Sequence, residues 1–303
     1  MKFRISFLFI LTFFFYGCAM NEIEDYDIVS GIGFDYINEL FQVTYEIYEE
    51  NNGQTTDLTS TTITASGKII SEAIENISYK LSKQAYLNHT LTIILNKNII
   101  ENKLEETLNY LIHEARIRAS CYVVVSNNYS AKEILEYSKK SKSVISYNLY
   151  RILDTTVKNV GIWNQSRFNN VINEIVRDNF TVVLPCVNII DKCLIEDAIV
   201  INNTDNKIVS KKEKLVYQLF NNCVDEGLVK LEDRNFYLKK AKTNIKIKDN
   251  NLFLNMYLKI LTYEKKDYDF TKTEDKEKFL KIVNELVNNL IKEVYKKNID
   301  NKY

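Results

Sequence analysis

The sequence is poor in the residues that break or punctuate a chain. It holds one proline, Pro185, and seven glycines in 303 residues, against an abundance of Asn, Ile, Lys and Tyr. That balance reads as a coding bias of the source and carries no mechanism. Histidine is nearly absent, with only His89 and His113, and the five cysteines include no C-x-x-C pair. No zinc site can be built from that spacing. There is also no net charge, since forty basic residues cancel forty acidic ones. Without a global field there is nothing to favour nucleic acid or an anionic membrane surface, and a polyanionic partner is not expected. Past the first twenty residues no apolar run approaches the length of a membrane span. Gly31-Ile32-Gly33 lacks the third glycine of a dinucleotide loop, because Tyr36 stands there and a strand follows instead of a helix.

What is present begins with MKFRISFLFILTFFFYGCAM. Lys2 and Arg4 form a basic start, Ile5 to Tyr16 an apolar core, and Gly17-Cys18 closes it, which is the layout of a secretion signal. About a dozen apolar residues reach roughly 18 Å as a helix, short of the ~20 residues that span a bilayer. A cysteine directly after a small residue at this point matches a bacterial lipobox, in which Cys18 is acylated and becomes the mature N-terminus. Phe15 stands where that pattern prefers an aliphatic residue, and the alternative is an ordinary signal with an incidental cysteine. Two acyl chains at about 0.8 kcal/mol per buried CH2 would hold the chain stably. Cys121, Cys186, Cys193 and Cys223 could pair in an exported protein. All but one of them sit in or beside apolar runs, which fits buried free thiols equally well.

With 46% hydrophobic residues the chain is globular and long enough for two or three cores. GIGFD (31–35) and FQVTYEIYE (41–49) alternate with period two and form a hairpin about 36–40. A loop over 51–62 leads to a strand at 61–66. Ile70, Ala73, Ile74, Ile77 and Leu81 mark an amphipathic helix, Leu91 to Leu95 a strand, and Leu104 to Ala115 a second helix. CYVVVS (121–126) fits a strand covered on both faces. Ser130 and Glu133 form a capping box that opens a third helix. Two further helices fill 143–180, the second capped by Ser166. Pro185, which has no donor for a ladder, requires an edge or a bulge in the strand FTVVLPCVNI. The expected organisation is a signal peptide at 1–17, an α/β domain at 18–190 and a second α/β domain at 191–303. The fold class is α/β (α+β), multi-domain, with mixed sheets covered by helices. The second domain holds AIVINN, a helix capped by Ser210 and Glu213, a hairpin turning at 249–251, and a helix over 273–297 packed on that hairpin.

No catalytic constellation is evident. Neither histidine stands at a triad spacing from a nucleophile. Glu105-Glu106 and Glu196-Asp197 read as solvated charges, because paired carboxylates need a cleft to become an acid and a base. The lysines at 211–214 and 239–246 are interleaved with acids or strand residues, which argues against a nucleic-acid patch.

The order of motifs resembles one family. The lipobox, GIGFD, Gly67 to Ile74 (G-x-x-x-x-E-A-I), Asn88-His89 before TIIL, and Ala115-Arg116-Ile117-Arg118 before YVVV come in the order of the C subunits of spore germinant receptors, the Ger(x)C lipoproteins. FTVVLPCVNI, AIVINN, KIVSKKEKLVYQLF with Lys214-Leu215-Val216, and KTNIKIK continue that order. Two features depart from it: Ala19-Met20 replace a Trp-Asp pair after the cysteine, and family members run further at the C-terminus. The resemblance implies a C-terminally shortened, non-enzymatic lipoprotein subunit, without cofactor or metal, lipidated at Cys18. It further implies a place on the outer surface of the spore inner membrane, beside A and B receptor subunits. An exported solute-binding or adhesive lipoprotein is the alternative from the residues alone, and a surface hydrolase the third.

Overall fold

Strand β1 (Tyr26–Ile37) is buried from Val29 through Asp35 and is the axis of the molecule. The computed structural model describes residues 23–49, 58–114, 116–160, 166–177, 180–190, 192–202, 206–209, 211–220, 227–231, 234–248, 251–263 and 271–300. β1 turns at Asn38-Glu39, both with positive φ, into antiparallel β2 (Leu40–Tyr48), and β3 (Ser60–Gly67) completes this meander. On its other side β1 pairs in parallel with β5 (Thr92–Asn96), and higher up with the short β4 (Gln84–Tyr86). β6 (Tyr122–Ser126) and β7 (Thr181–Ile190) continue in parallel, and β8 (Lys192–Asn202) and β9 (Asn206–Val209) finish the sheet antiparallel. The order is β3-β2-β1-β5-β6-β7-β8-β9 with β4 beside β1.

Alternation along the central strands supplies both faces. Ile93, Leu95, Val123 and Val125 pack beneath α1 (Ile70–Ser78), α2 (Lys97–Asn102), α3 (Leu104–His113) and α7 (Phe168–Ile175). Ile94, Tyr122 and Val124 pack on the opposite side beneath α4 (Ala131–Glu136) and α6 (Ile145–Val160). Parallel strands covered on both faces must be apolar throughout, which is why CYVVVS shows no alternation. α5 (Ser138–Ser141) links α4 to α6. The protein is thus mixed α/β, with helices on both sides of a large mixed sheet.

Several details differ from the sequence expectation. α1 ends at Ser78, before Leu81, which reaches the same core half-buried from outside the helix. α7 is capped by Arg167 without a side-chain bond, not by Ser166, which is itself buried. Pro185 meets the expectation of an edge or a bulge by the second route: its strand is interior, but the β7–β8 register shifts between Pro185 and Val187, and pairing with β6 begins at Cys186. The boundary expected at 190/191 falls inside a hairpin. β7 and β8 pair from Thr181↔Asn202 to Ile190↔Lys192, so β8, with β9 beside it, extends the large sheet. The physical reason is burial: Ala198 to Ile201 enter both existing cores.

β10 (Gly227–Leu231), β11 (Arg234–Lys248) and β12 (Asn251–Tyr263) form a separate antiparallel sheet in that order. α8 (Lys211–Phe220) contacts both sheets, touching β7, β8 and β9 on one side and β11 on the other. α9 (Thr273–Asp300) packs against α8 through a stripe containing the buried Phe279, Val283, Val287 and Leu290. Helix α8 supplies part of the cover over this helix, for which packing on the hairpin was the sequence expectation. The Ser210 cap lies outside the described residues.

Candidate functional site

The GIGFD segment is where two helices from the far side of the chain are fastened to the central hairpin. A side chain on Gly31 would place its Cβ 1.7 Å from Ser146 Oγ, and one on Gly33 would sit 3.0 Å from Ala131 Cβ. Both glycines therefore clear space for helix starts, α6 over Gly31 and α4 over Gly33. Two fully buried carboxylates complete the attachment. Asp35 accepts the N–H groups of Ala131 at 2.7 Å and Lys132 at 3.0 Å. Glu46, the ladder partner of Gly31, accepts Ile145 N–H at 2.7 Å and Ser146 N–H at 2.8 Å. Ser60 Oγ donates to Glu46 Oε1 at 2.8 Å and Ser30 Oγ to Oε2 at 3.1 Å. The first N–H groups of a helix lack internal partners and carry its positive end, so a carboxylate there answers both needs. The predicted capping box is also present on α4, with Ser130 and Glu133 bonding reciprocally.

Burial pushes the Asp35 carboxyl up to about 6, against the opposing pull of its two backbone N–H partners; the Glu133 charge adds to the rise and Lys132 offsets it. Above the unfolded value of 3.8 the folded chain keeps a proton that the unfolded chain has lost. The resulting stabilisation is complete below that value and is lost as pH rises through about 6, a change of about 3 kcal/mol. Urea titrations of the wild type and Asp35→Asn should diverge by that amount between pH 3 and pH 7, with the wild type losing ground. The opposite slope would show that the helix terminus outweighs burial.

Other polar clusters are pins between elements. In the Arg116-Ile117-Arg118 turn, Arg116 donates from Nε and Nη2 to Glu114 at 2.7 Å each, and Tyr110 OH donates to the same carboxylate at 3.1 Å. The guanidinium holds Glu114 below its usual range. Arg167 lies 4.5 Å over the Tyr122 ring, donates to Ser120 O and Asp154 Oδ1 at 3.0 Å each, and so joins β6, α6 and the start of α7.

The sequence-derived candidates do not converge. His89 is exposed beside Tyr86, with ring centroids 5.4 Å apart, in the turn before β5. His113 ends α3, exposed, with Nδ1 2.7 Å from Asn109 O. Glu105 and Glu106 are exposed in the first turn of α3, and Glu106 pairs with Lys103 at 3.0 Å. Cys121 and Cys186 are buried in β6 and β7 surroundings, and burial raises the Cys121 thiol to about 12. Cys18 lies outside the described residues, as do the side chains of Cys193, Cys223, Glu196 and Asp197. Among the described residues no three His, Cys, Asp or Glu side chains gather as metal ligands, and no helix is long and apolar enough to cross a membrane. Sequence reasoning missed Asp35 and Glu46, since an acid within an alternating strand looks solvated until the covering helix is placed.

Residues 19–189 match the family model described as "Spore germination protein N-terminal domain". Spore germination protein B3 of Bacillus subtilis (strain 168) is 20% identical over 270 residues, covering 81% of this chain and 68% of that protein. Spore germination protein KC of the same organism is 24% identical over 180 residues, covering 56% of this chain and 44% of that protein. No solved structure matches the chain.

Proposed function

The chain belongs to the spore germination protein N-terminal domain family, and on that premise we propose that it is the lipoprotein subunit of a nutrient germinant receptor. A lipid on Cys18 holds it on the outer surface of the spore inner membrane. There it works beside the A and B subunits in receptor assembly and signal transmission, without bond chemistry. The observation that carries the reading is the extent of the family match, which takes in β1 to β7 together with both buried helix attachments. The names of the two relatives point to the same germination role. The use of Asp35 and Glu46 supports a scaffold, because their oxygens are taken by helix N–H and serine donors.

Fractionation tests the anchor. Cys18→Ala expressed without the other subunits should move from the membrane fraction to the soluble one, and a variant that still partitions wholly into membranes would refute lipidation as the attachment. Purification of the tagged chain from detergent-solubilised spore membranes should bring A and B subunits with it. Those subunits, and not a nutrient alone, should raise its melting temperature. A shift with a nutrient alone would instead support a solute-binding lipoprotein.

A further inference from the structure

The register of the β11–β12 hairpin sorts its charge onto one side. Lys242 pairs with Tyr257 and Asn244 with Asn255; these four residues and Lys259 are exposed, Tyr257 at 61%. Thr243, on the other side of β11, is half-buried and donates to Leu219 O of α8 at 2.6 Å. Residues two apart share a side of a strand. The same ladder therefore puts positions Lys240, Lys246 and Lys248 on the side of Lys242, and position Phe253 on the side of Tyr257. No Asp or Glu occurs from 240 to 248 or from 251 to 259. In a chain of zero net charge, this strip of lysine positions, roughly 27 Å long from the rise of a strand, is a strong local segregation. The spacing Lys240, Lys242, Lys246, Lys248 was visible in the sequence, but it gains meaning only once α8 is known to take the other side.

We propose that this lysine–tyrosine face docks on an anionic bilayer, with lysine ammonium groups against lipid phosphates and Tyr257 at headgroup level. Lysine stems and tyrosine rings suit a boundary with one wet and one apolar side. Polybasic segments near a membrane gain affinity with each added cation. A nucleic-acid platform would need bases stacked on successive aromatics, and from 240 to 259 the sequence has aromatics at 253 and 257 alone. The choice of a bilayer among polyanions rests on the tethered placement proposed above. The charge segregation does not.

The test places a fluorophore on the face. Trp163→Phe/Tyr257→Trp protein is reconstituted on phosphatidylcholine vesicles with or without phosphatidylglycerol, each containing brominated lipid as quencher. Position 257 should be quenched on the phosphatidylglycerol vesicles only, and high salt should reverse this. Adding Lys242→Gln/Lys259→Gln should weaken docking about twenty-five-fold, at about five-fold per lysine, and Lys242→Glu/Lys259→Glu should weaken it further. Both pairs are exposed, so an unchanged urea transition certifies the fold. Equal quenching on the two vesicle types, no quenching, or indifference to charge reversal would overturn the proposal. Tighter salt-dependent binding to a single-stranded oligonucleotide than to the vesicles would assign the face to nucleic acid instead. Because the signal comes from position 257, failure here is distinguishable from failure of Cys18 lipidation, which fractionation reads.

Discussion

Glu46→Gln is expected to destabilise the protein by about 3 kcal/mol, although it changes one atom and no volume. Each carboxylate oxygen accepts one backbone N–H and one serine hydroxyl: Ile145 and Ser60 on Oε1, Ser146 and Ser30 on Oε2. Hydroxyls can rotate to accept from an amide. The N–H groups at the start of α6 cannot. Whichever way the glutamine turns, its NH2 faces a fixed donor, and one buried N–H is left without a partner. Denaturant unfolding at neutral pH measures the loss, and a change below about 0.5 kcal/mol would show that α6 is held by its apolar face alone. Glu46→Asp should be nearly as costly, because a shorter side chain pulls away from both N–H groups while keeping the charge.

Gly31→Ala is expected to cost about 3 kcal/mol through overlap instead of lost bonding. The new methyl would lie 1.7 Å from Ser146 Oγ and 2.8 Å from Ser146 Cβ, so α6 must lift away from β1. The distances also set the rescue. Ser146→Ala keeps the Cβ and should recover only part of the loss. Ser146→Gly should recover most of it, although alone it costs about 1 kcal/mol as a glycine in a helix. A double-mutant cycle by urea unfolding reads the coupling, expected at about 2 kcal/mol and stabilising. Additive losses would place the strain of Gly31→Ala elsewhere on β1. Lifting α6 also displaces Asp154 from Arg167, so the exposure of Tyr122 should rise in the single variant and fall back in the rescued one.

The elements that sequence reasoning placed correctly are those whose evidence is local. The capping box at Ser130 and Glu133, the apolar run at 121–126, the turn at 38–39 and the long alternation of 234–263 each depend on a neighbour a few residues away. Period and turn chemistry carry such information directly. The misplacements share a different cause. The 190/191 boundary was judged from one strand, yet it depended on which strands lie beside it. The Ser166 cap depended on where β6 and Arg167 meet.

The sequence by itself determined the strands, the helices, their order and the resemblance to germinant receptor C subunits, because spacing and composition act along the chain. Only the tertiary structure decided what the polar residues on those elements do. Asp35 and Glu46 are 96 and 99 residues from the nearest N–H groups they hold, and Lys242 of β11 is exposed while its neighbour Thr243 bonds to α8. Burial and hydrogen-bond partners are properties of contacts between distant segments, and no period in the chain encodes them.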